Sequence, residues 1–286
     1  MCSSAARAGD RPLVRALLVS PLGFLIGLSL GALGGGGSIL AVPVLVYGAG
    51  QDPRAATTGS LMLVGTAALV GVLPHWRAGR VKVVTGLLFA LCGIPGAILG
   101  SAVNQQLDPN LLLLGFAGLV LVAAWRMLIG CPTCTRVGEQ RSLELGADRV
   151  DAAVVLTRQI LEVRTIVTVV AAGTAVGFLT GLFGVGGGFV IVPALVLVLR
   201  LSMPQAIGTS LLVIALNSAV GLTTRLATTT IDWRVILPFT AAAVAGVLTG
   251  AKVADRLDPE KSLRAFSALL VVVAAYTAVR AGIDLT

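Results

Sequence analysis

The chain has 286 residues, of which 56% are apolar and only 12% are charged, and its formal net charge at pH 7 is +8. A soluble domain usually has about 25% charged and about 45–50% apolar residues. One soluble core of this length could not hide so much apolar surface, so the composition argues against a soluble protein and favours an integral membrane protein.

The positive net charge would suggest nucleic-acid binding in a soluble protein. Here the lysines and arginines lie between long uncharged runs, as they do in the loops of membrane proteins. The sequence has no basic stripe and no RNA-binding signature, so we expect no nucleic-acid partner. The expected partners are the lipid bilayer and a small anionic solute, and assembly as a homo-oligomer stays open.

The first predicted elements are a polar tail, residues 1–12, and an apolar run without any charge from Ala16 to Gln51. This run is too long for one perpendicular helix, which needs about 20 residues, and too long for the apolar region of a signal peptide. Gly34–Gly37 interrupts it, and glycine clusters break helices. The run therefore predicts a helix, a glycine break and a shorter helix that ends near Tyr47.

Three simple spans are predicted next, followed by a charged linker. The spans cover Ala55–Pro74, Val83–Val103 and Leu111–Ile129, and the linker covers residues 131–163, with a surface helix expected from Leu143 to Leu161. Within the linker, Cys131-Pro-Thr-Cys134 is a CxxC, which alone is weak evidence for a redox or zinc site. His75 is the one histidine of the chain, so we expect no bound metal.

The second part of the chain repeats this order. It has no charge from Thr165 to Leu199, and a second glycine cluster, Gly184–Gly188, interrupts this run before a short helix that ends near Val198. Three further spans are predicted at Gln205–Thr224, Trp233–Ala251 and Ala265–Val279.

An internal repeat explains this order. A shift of 150 residues aligns residues 31–130 with 181–280 without a gap and gives 26 identities in 100 positions. The matches include Gly31 with Gly181, three glycines of each break, Pro43 with Pro193, and the Leu-Asp-Pro triplet that starts at Leu107 and again at Leu257. We predict an all-α membrane protein with about eight transmembrane helices in two tandem four-helix repeats, residues 13–130 and 164–282, each starting with a glycine-broken helix.

The orientation follows from the number of spans. With four spans per repeat, the two halves would be parallel and related by an axis along the membrane normal. If the N-terminus were cytoplasmic, 14 lysines and arginines would lie inside and 6 outside, which predicts a cytoplasmic N-terminus. A broken helix that returned to the side from which it came would change this count.

Two segments carry a resemblance to a known family. GALGGGGSILAVPVLVYG at 31–48 and GLFGVGGGFVIVPALVLVL at 181–199 are each followed by Ala-x-x-x-Ser-Leu. The chain resembles the TauE/SafE family, also called the sulfite exporter or 4-toluene sulfonate uptake permease family, from about Leu13 to Gly282. The resemblance implies a multi-pass transporter of a prokaryotic plasma membrane that carries sulfite, an organosulfonate or a related small anion. It leaves the substrate open.

A small oxyanion needs hydrogen-bond donors with little fixed charge, which broken-helix backbone and hydroxyl groups supply. The predicted substrate-binding residues are Gly34, Gly35, Gly36, Gly37, Ser38, Thr57, Thr58, Ser60, Gly184, Gly186, Gly187, Gly188, Thr209, Ser210 and Asn217. The alternative interpretation is that these small residues allow close helix packing. His75 and Arg225 occupy equivalent repeat positions, and they either line a basic mouth for anions or are ordinary interfacial residues.

Other functions have weaker support. No acidic residue lies in the middle of a span, and Gly184–Gly188 lacks the Lys-Ser/Thr ending of a P-loop. We therefore expect neither ATP-driven transport nor an enzyme, and no cofactor; transport would be secondary, by alternating access between the two repeats. A membrane redox protein or enzyme that uses Cys131 and Cys134, and a carrier of a non-sulfur solute, remain as alternatives.

Overall fold

A computed structural model describes residues 6–51, 53–104, 106, 109–130, 163–183, 188–225, 233–256 and 259–283. Within these ranges the chain forms ten α-helices and no strand, so the predicted all-α class is confirmed. The helices are α1 Ala6–Leu33, α2 Ser38–Pro43, α3 Pro53–Arg77, α4 Val83–Asn104, α5 Pro109–Gly130, α6 Val163–Phe183, α7 Gly188–Leu197, α8 Met203–Arg225, α9 Trp233–Arg256 and α10 Pro259–Ile283.

Four of the described helices are long and apolar enough to cross a membrane: α3, α4, α8 and α9, with candidate spans Ala55–Arg77, Val83–Val103, Met203–Thr223 and Trp233–Ala254. Large apolar side chains stand exposed on their outer faces, among them Leu69, Ile98 and Leu237. Such faces are unfavourable in water and suited to lipid, because the helices satisfy their own backbone hydrogen bonds.

The observed helices follow the predicted spans with small shifts at the ends. The largest difference is that α1 begins at Ala6, inside the predicted polar tail. Cys131, Cys134 and the surface helix expected in the linker lie outside the described residues, as do Gly184–Gly187 of the second break.

The first glycine break turns the chain back along α1. The Gly34 N–H donates to the Leu30 carbonyl oxygen at 2.9 Å, and Gly35–Gly37 form one 3₁₀ turn. Gly37 then lies beside the preceding helix, because a methyl group there would be 3.0 Å from the Leu30 nitrogen. A collinear helix would carry Gly37 away from Leu30, so α2 is a re-entrant helix rather than a continuation of α1. It ends at Pro43, which lacks an N–H, and a π-helical turn follows at Val44–Gly48.

Helices α3 and α8 pack against each other in opposite directions. Residue numbers fall along α8 as they rise along α3 in four close pairs: Leu61 with Gly221, Gly65 with Ser218, Gly71 with Leu211, and His75 with Gly208. These helices are equivalent in the 150-residue alignment, so the expectation of parallel halves is wrong. The physical reason is the re-entrant α2, which adds one reversal of chain direction before α3 begins.

Glycines also bring two other helix pairs into backbone contact. Gly23, Gly27 and Gly31 of α1 face Phe239, Ala243 and Val247 of α9, while Gly173, Gly177 and Gly181 of α6 face Phe89, Gly93 and Ala97 of α4. Both pairs are parallel, and each contact in one pair has its counterpart 150 residues away in the other. Small residues every fourth position allow this close approach, which strengthens van der Waals packing between membrane helices.

The core fills the space between these pairs and the re-entrant segments. Leu45, Leu63, Leu195 and Ile207 are almost fully buried in it. Phe116 of α5 packs edge-to-face on Phe189 of α7, with ring centroids 5.0 Å apart. Helix α10 packs on the first break in the equivalent way, because a methyl group on Gly36 would lie 3.5 Å from the Phe266 ring.

Candidate functional site

Gly35 of the first glycine break meets Gly188, the last residue of the second glycine cluster, in the interior. The backbone of Gly35 lies directly against that of Gly188, and a methyl group on Gly35 would overlap the Gly188 carbonyl group. The hydroxyl of Ser38 donates to the Gly35 carbonyl oxygen at 2.7 Å, and both groups border Gly188. Only glycine permits this approach, so Gly35 and Gly188 form a backbone-to-backbone contact that we call the glycine contact.

Next to the glycine contact lies a first group of predicted residues on α8. Gly34 has a φ of 79°, which favours glycine, and a methyl group there would be 2.7 Å from the Ser210 hydroxyl. Ser210 is fully buried and donates to the Ile207 carbonyl oxygen at 2.8 Å. We call Gly34, Thr209 and Ser210 the α8 half-site.

A basic loop covers the α8 half-site. The Lys82 backbone N–H donates to the Thr209 hydroxyl at 3.1 Å, and Thr209 is fully buried. Lys82 directly precedes α4, and burial lowers the pKa of its ammonium group below the usual value for lysine. The same loop contacts α8 one residue earlier, where a methyl group on Gly208 would lie 3.2 Å from Val81 Cγ2. The loop therefore bonds through its backbone to a buried hydroxyl of α8, and it brings a lysine residue to the edge of the α8 half-site.

A second group of predicted residues lies on α3. Thr58 and Ser60 are buried, and Ser60 donates to the Thr57 carbonyl oxygen at 2.8 Å. Between them, a methyl group on Gly59 would lie 2.6 Å from Ile236 Cδ1 and 3.7 Å from the Gln51 side-chain oxygen. We call Thr57, Thr58, Gly59, Ser60 and Gln51 the α3 half-site.

The structure does not bring the two half-sites together. Gly71 of α3 faces Leu211 of α8, so Ser210 of α8 lies beside residue 72 of α3. Ser60 lies on α3 about twelve residues before that point. At 1.5 Å per residue this is about 18 Å along the helix. The predicted residues therefore form two separate polar regions, since α3 and α8 are antiparallel.

Other predicted residues have packing neighbours. Gly36 faces the side chains of Leu269 and Phe266, and Gly37 lies on α1, as the packing interpretation expects. Asn217 is half-buried on α8, two turns beyond Ser210. Gly184, Gly186 and Gly187 lie outside the described residues. A direct role of these residues in binding stays a prediction.

His75 and Arg225 do not form one basic mouth. They are at the C-terminal ends of α3 and α8, which are antiparallel, so they lie at opposite ends of the helix pair. His75 is also buried, with 1% of its surface exposed, against Gly208. That each residue guides anions on its own side stays a prediction.

Sequence reasoning missed two neighbours of the predicted residues, Gln51 and Lys82. Each lies at the edge of a span, where a polar residue is ordinary. The repeat alignment offered a signal, because it pairs Gln51 with Leu201 and Lys82 with Asp232. These are two places where the halves differ in polarity or charge within the most similar part of the chain.

Comparisons with known proteins agree on a family. The family model described as sulfite exporter TauE/SafE matches residues 19–277. A Xylella fastidiosa (strain 9a5c) protein named "Probable membrane transporter protein" is 33% identical over 89% of this chain and 91% of its own length. Bacillus subtilis "Probable membrane transporter protein YunE" is 25% identical over 91% and 93% of the two chains. No solved structure matches. The chain belongs to the sulfite exporter TauE/SafE family of membrane transporters.

Proposed function

We propose that the protein is a secondary transporter of sulfite, an organosulfonate or a related sulfur oxyanion, and that it works by alternating access. It is a multi-pass protein of a prokaryotic plasma membrane. Its two repeats, residues 13–130 and 164–282, have opposite orientations, because α2 returns the chain to the face from which α1 starts and leaves α3, α4 and α5 as the net crossings of the first repeat. The paired contacts of α1 with α9 and of α4 with α6, 150 residues apart, support this arrangement.

The observation that carries the proposal is the glycine contact between Gly35 and Gly188. Non-helical backbone inside a membrane needs partners for its N–H and carbonyl groups, and it occurs where protein, water or a ligand supplies them. Paired broken helices in two repeats are a feature of secondary transporters, whose substrates bind at the repeat interface.

The α8 half-site and the α3 half-site are suited to be the two ends of a substrate pathway through the protein. In the α8 half-site, Gly34 of the first break borders Ser210. In the 150-residue alignment, Ser60 corresponds to Ser210 and Gly184 to Gly34, which supports a similar role for the α3 half-site. We propose that an anion binds at one half-site, that the glycine contact opens, and that the anion then leaves from the other half-site.

The chemistry of the half-sites supports an anion. Hydroxyl and backbone N–H groups donate to anionic oxygens, and the loop whose Lys82 backbone N–H bonds the Thr209 hydroxyl carries a lysine charge that adds positive potential. Neutral donors hold an oxyanion weakly enough for release. The family description names sulfite, whereas the names of the relatives state no substrate. Sulfur oxyanions are therefore the substrate class to test first.

Counterflow in proteoliposomes tests the proposal. The protein is reconstituted into vesicles preloaded with unlabelled sulfite, and the uptake of labelled sulfite is followed. We expect transient accumulation that sulfonates reduce and chloride does not. The absence of counterflow with any anion, from protein shown to be folded, would contradict an anion transporter.

The cysteine pair offers a control. Nothing in the described residues favours a redox function, and Cys131 and Cys134 lie outside them. A variant with both Cys131→Ser and Cys134→Ser is expected to keep full counterflow. Loss of activity in this variant, with the protein folded, would favour the redox alternative.

A further inference from the structure

The side-chain amide of Gln51 is unusual among the described residues. Both of its polar atoms, Nε2 and Oε1, are buried, and neither has a hydrogen-bond partner. Buried polar groups are nearly always paired, so each exception needs an explanation. Inside a membrane protein, an unpaired amide that could donate two hydrogen bonds and accept two is suited to a ligand that the structure does not contain.

The position of Gln51 places this amide in the α3 half-site. Its side-chain oxygen is 3.7 Å from where a methyl group on Gly59 would be, between the buried Thr58 and Ser60. A methyl group on Gly59 would instead overlap Ile236 Cδ1, 2.6 Å away, so the amide and Ile236 both approach Gly59. Gln51 is therefore next to residues already predicted to bind substrate.

Gln51 differs from the equivalent residue of the second repeat, Leu201, in its side chain but not in its backbone hydrogen bond. The Gln51 N–H donates to the Leu45 carbonyl oxygen at 3.1 Å, and the equivalent Leu201 N–H donates to the Leu195 carbonyl oxygen at 3.1 Å. The backbone is thus held in the same way, but Gln51 corresponds to Leu201 and Gly59 corresponds to Thr209. The α8 half-site has a threonine hydroxyl where the α3 half-site has a glycine and an approaching amide.

We propose that the Gln51 side chain binds the transported oxyanion in the α3 half-site, with Nε2–H donating to an anionic oxygen. This inference rests on the proposed function. A neutral amide is suited to transport, because it orients the anion without the strong attraction of a lysine or arginine. It also makes the two half-sites chemically different, with an amide donor at one and a threonine hydroxyl at the other.

Sulfite counterflow by Gln51→Leu, which installs the residue of the equivalent position 201, tests the inference. We expect KM to rise roughly tenfold or more, which corresponds to about 1.4 kcal/mol, with an unchanged melting temperature. Gln51→Glu is expected to lose transport, because a carboxylate would repel the anion. Ser29→Ala is the matched control, since the Ser29 hydroxyl is also buried without a partner and lies on α1.

The outcomes separate this inference from the proposed function. An unchanged KM for Gln51→Leu, with a raised melting temperature, would show that the amide is only a destabilising buried group and would overturn the inference alone. Wild-type protein without counterflow would overturn both. If Gln51→Leu does not fold, Gln51→Asn retains the amide one methylene group further back; a raised KM supports the inference and an unchanged KM overturns it.

A second inference comes independently from the helix directions. Helix α3 is antiparallel to α8 and parallel to α9, since Gly59 lies at Ile236 and Gly71 at Val247. The end of α3, the end of α5, the start of α6 and the end of α9 therefore lie on one face. We call this the linker face, because the linker joins α5 to α6 there. Both chain ends belong to the opposite, terminal face.

The basic residues are distributed unequally between these faces. The described helix ends and connections of the linker face carry 10 lysines and arginines: Arg77, Arg80, Lys82, Arg126, Arg164, Arg200, Lys252, Arg256, Lys261 and Arg264. The sequence that joins α5 to α6 adds four, Arg136, Arg141, Arg149 and Arg158. The terminal face carries the other 7: Arg7, Arg11, Arg15, Arg54, Arg225, Arg234 and Arg280. Lysine and arginine are enriched in cytoplasmic loops.

We infer that the linker face is cytoplasmic and that both chain termini are outside the cytoplasm. This reverses the orientation predicted from the sequence, because the earlier count treated α1 and α2 as one span. The Lys82 loop and the α8 half-site then open towards the cytoplasm, and Gln51 with the α3 half-site opens towards the outside. The basic loop would therefore recruit anions from the cytoplasmic side.

Cysteine labelling in intact cells tests this orientation. Cys2, Cys92, Cys131 and Cys134 are replaced by serine, and either Ala78→Cys on the linker face or Gln106→Cys on the terminal face is introduced; both positions are exposed. With a membrane-impermeant maleimide, we expect Gln106→Cys to react in intact cells and Ala78→Cys only after permeabilisation. The reverse pattern, or equal labelling of both in intact cells, would overturn the inference.

Discussion

The α3 and α8 half-sites have equivalent backbones but different polar groups. Thr209 and Leu201 in one correspond to Gly59 and Gln51 in the other, and Lys82 beside the α8 half-site corresponds to Asp232. The backbone bonds after the short helices are the same on both sides. The duplicated halves therefore keep the same helix arrangement and the same glycine contacts between helices, whereas substitutions made the α3 and α8 half-sites chemically different. A carrier that moves a solute in one preferred direction could use such a difference.

The largest expected effect is a difference in sulfite counterflow between substitutions of two adjacent glycines, Gly35 and Gly36. Gly35→Ala would place a methyl group on the Gly188 backbone, which cannot move without separating the two breaks. Gly36→Ala would meet the flexible end of Leu269, 2.7 Å away, which can shift. We expect Gly35→Ala to lose counterflow and Gly36→Ala to keep most of it.

Size-exclusion chromatography in detergent and sulfite counterflow measure these two variants. Equal activity of both variants would mean that the glycine contact is not essential. Gly118→Ala is a suitable control, because a methyl group there would meet nothing within 4 Å.

The second effect tests whether the α1–α9 contact and the equivalent α4–α6 contact contribute equally to stability. Gly27→Val pushes α1 away from α9, and Gly177→Val pushes α6 away from α4, at equivalent positions. Overpacking of a close contact costs about 1–3 kcal/mol, so we expect similar losses of melting temperature in the two variants. A large loss in only one would indicate that the other helix pair contributes little, and thermal unfolding in detergent measures the difference.

The third effect concerns the charge beside the α8 half-site. Lys82→Met is expected to raise the KM for sulfonate several-fold, and Lys82→Arg to leave it nearly unchanged. Burial lowers the pKa of the Lys82 ammonium group, so its charge is lost at a lower pH than that of an exposed lysine. The wild-type KM should therefore rise in alkaline buffer, and that of Lys82→Arg should not.

Sulfonate is the right substrate for this pH series, because its own charge is constant across the range. Counterflow between pH 7 and pH 10 measures the effect. A KM that stays constant in wild type, or rises equally in Lys82→Arg, would remove Lys82 from anion binding.

The smallest effect concerns an ion pair that only one half of the chain can form. Arg264 and Glu260 on α10 are 2.7 Å apart and exposed, whereas the equivalent positions are Leu114 and Asn110. Exposed pairs at this spacing contribute about 0.3–0.5 kcal/mol. Glu260→Gln should therefore change the melting temperature by no more than one or two degrees, and a larger shift would assign this end of α10 a structural role.

The helices and the repeat could largely be predicted from sequence, because run length, glycine clusters and a fixed offset are visible in the sequence itself. Run lengths and glycine clusters indicated the helices and the first break, and the 150-residue offset reappears in the glycine pairs such as Gly27 with Ala243 and Gly177 with Gly93. The direction of α2 could not be predicted, since no charge between Ala16 and Gln51 marks the side to which the chain returns.

The grouping of site residues could not be predicted for the same reason. Thr58 and Ser210 appeared to belong to one site while α3 and α8 were taken as parallel. Gln51 looked like an ordinary residue after a helix, and its unpaired amide becomes evident only when Gly59 and Ile236 are placed around it. Such contacts between distant segments have no counterpart in local sequence patterns.

The most direct test of alternating access uses one cysteine in each half-site. Single variants Ser60→Cys and Thr209→Cys, in a background without other cysteines, are reconstituted and reacted with a water-soluble maleimide with and without sulfite. Because the glycine contact separates the half-sites, we expect sulfite to raise labelling at one position and lower it at the other. Labelling that rises or falls together at both positions would contradict alternating access.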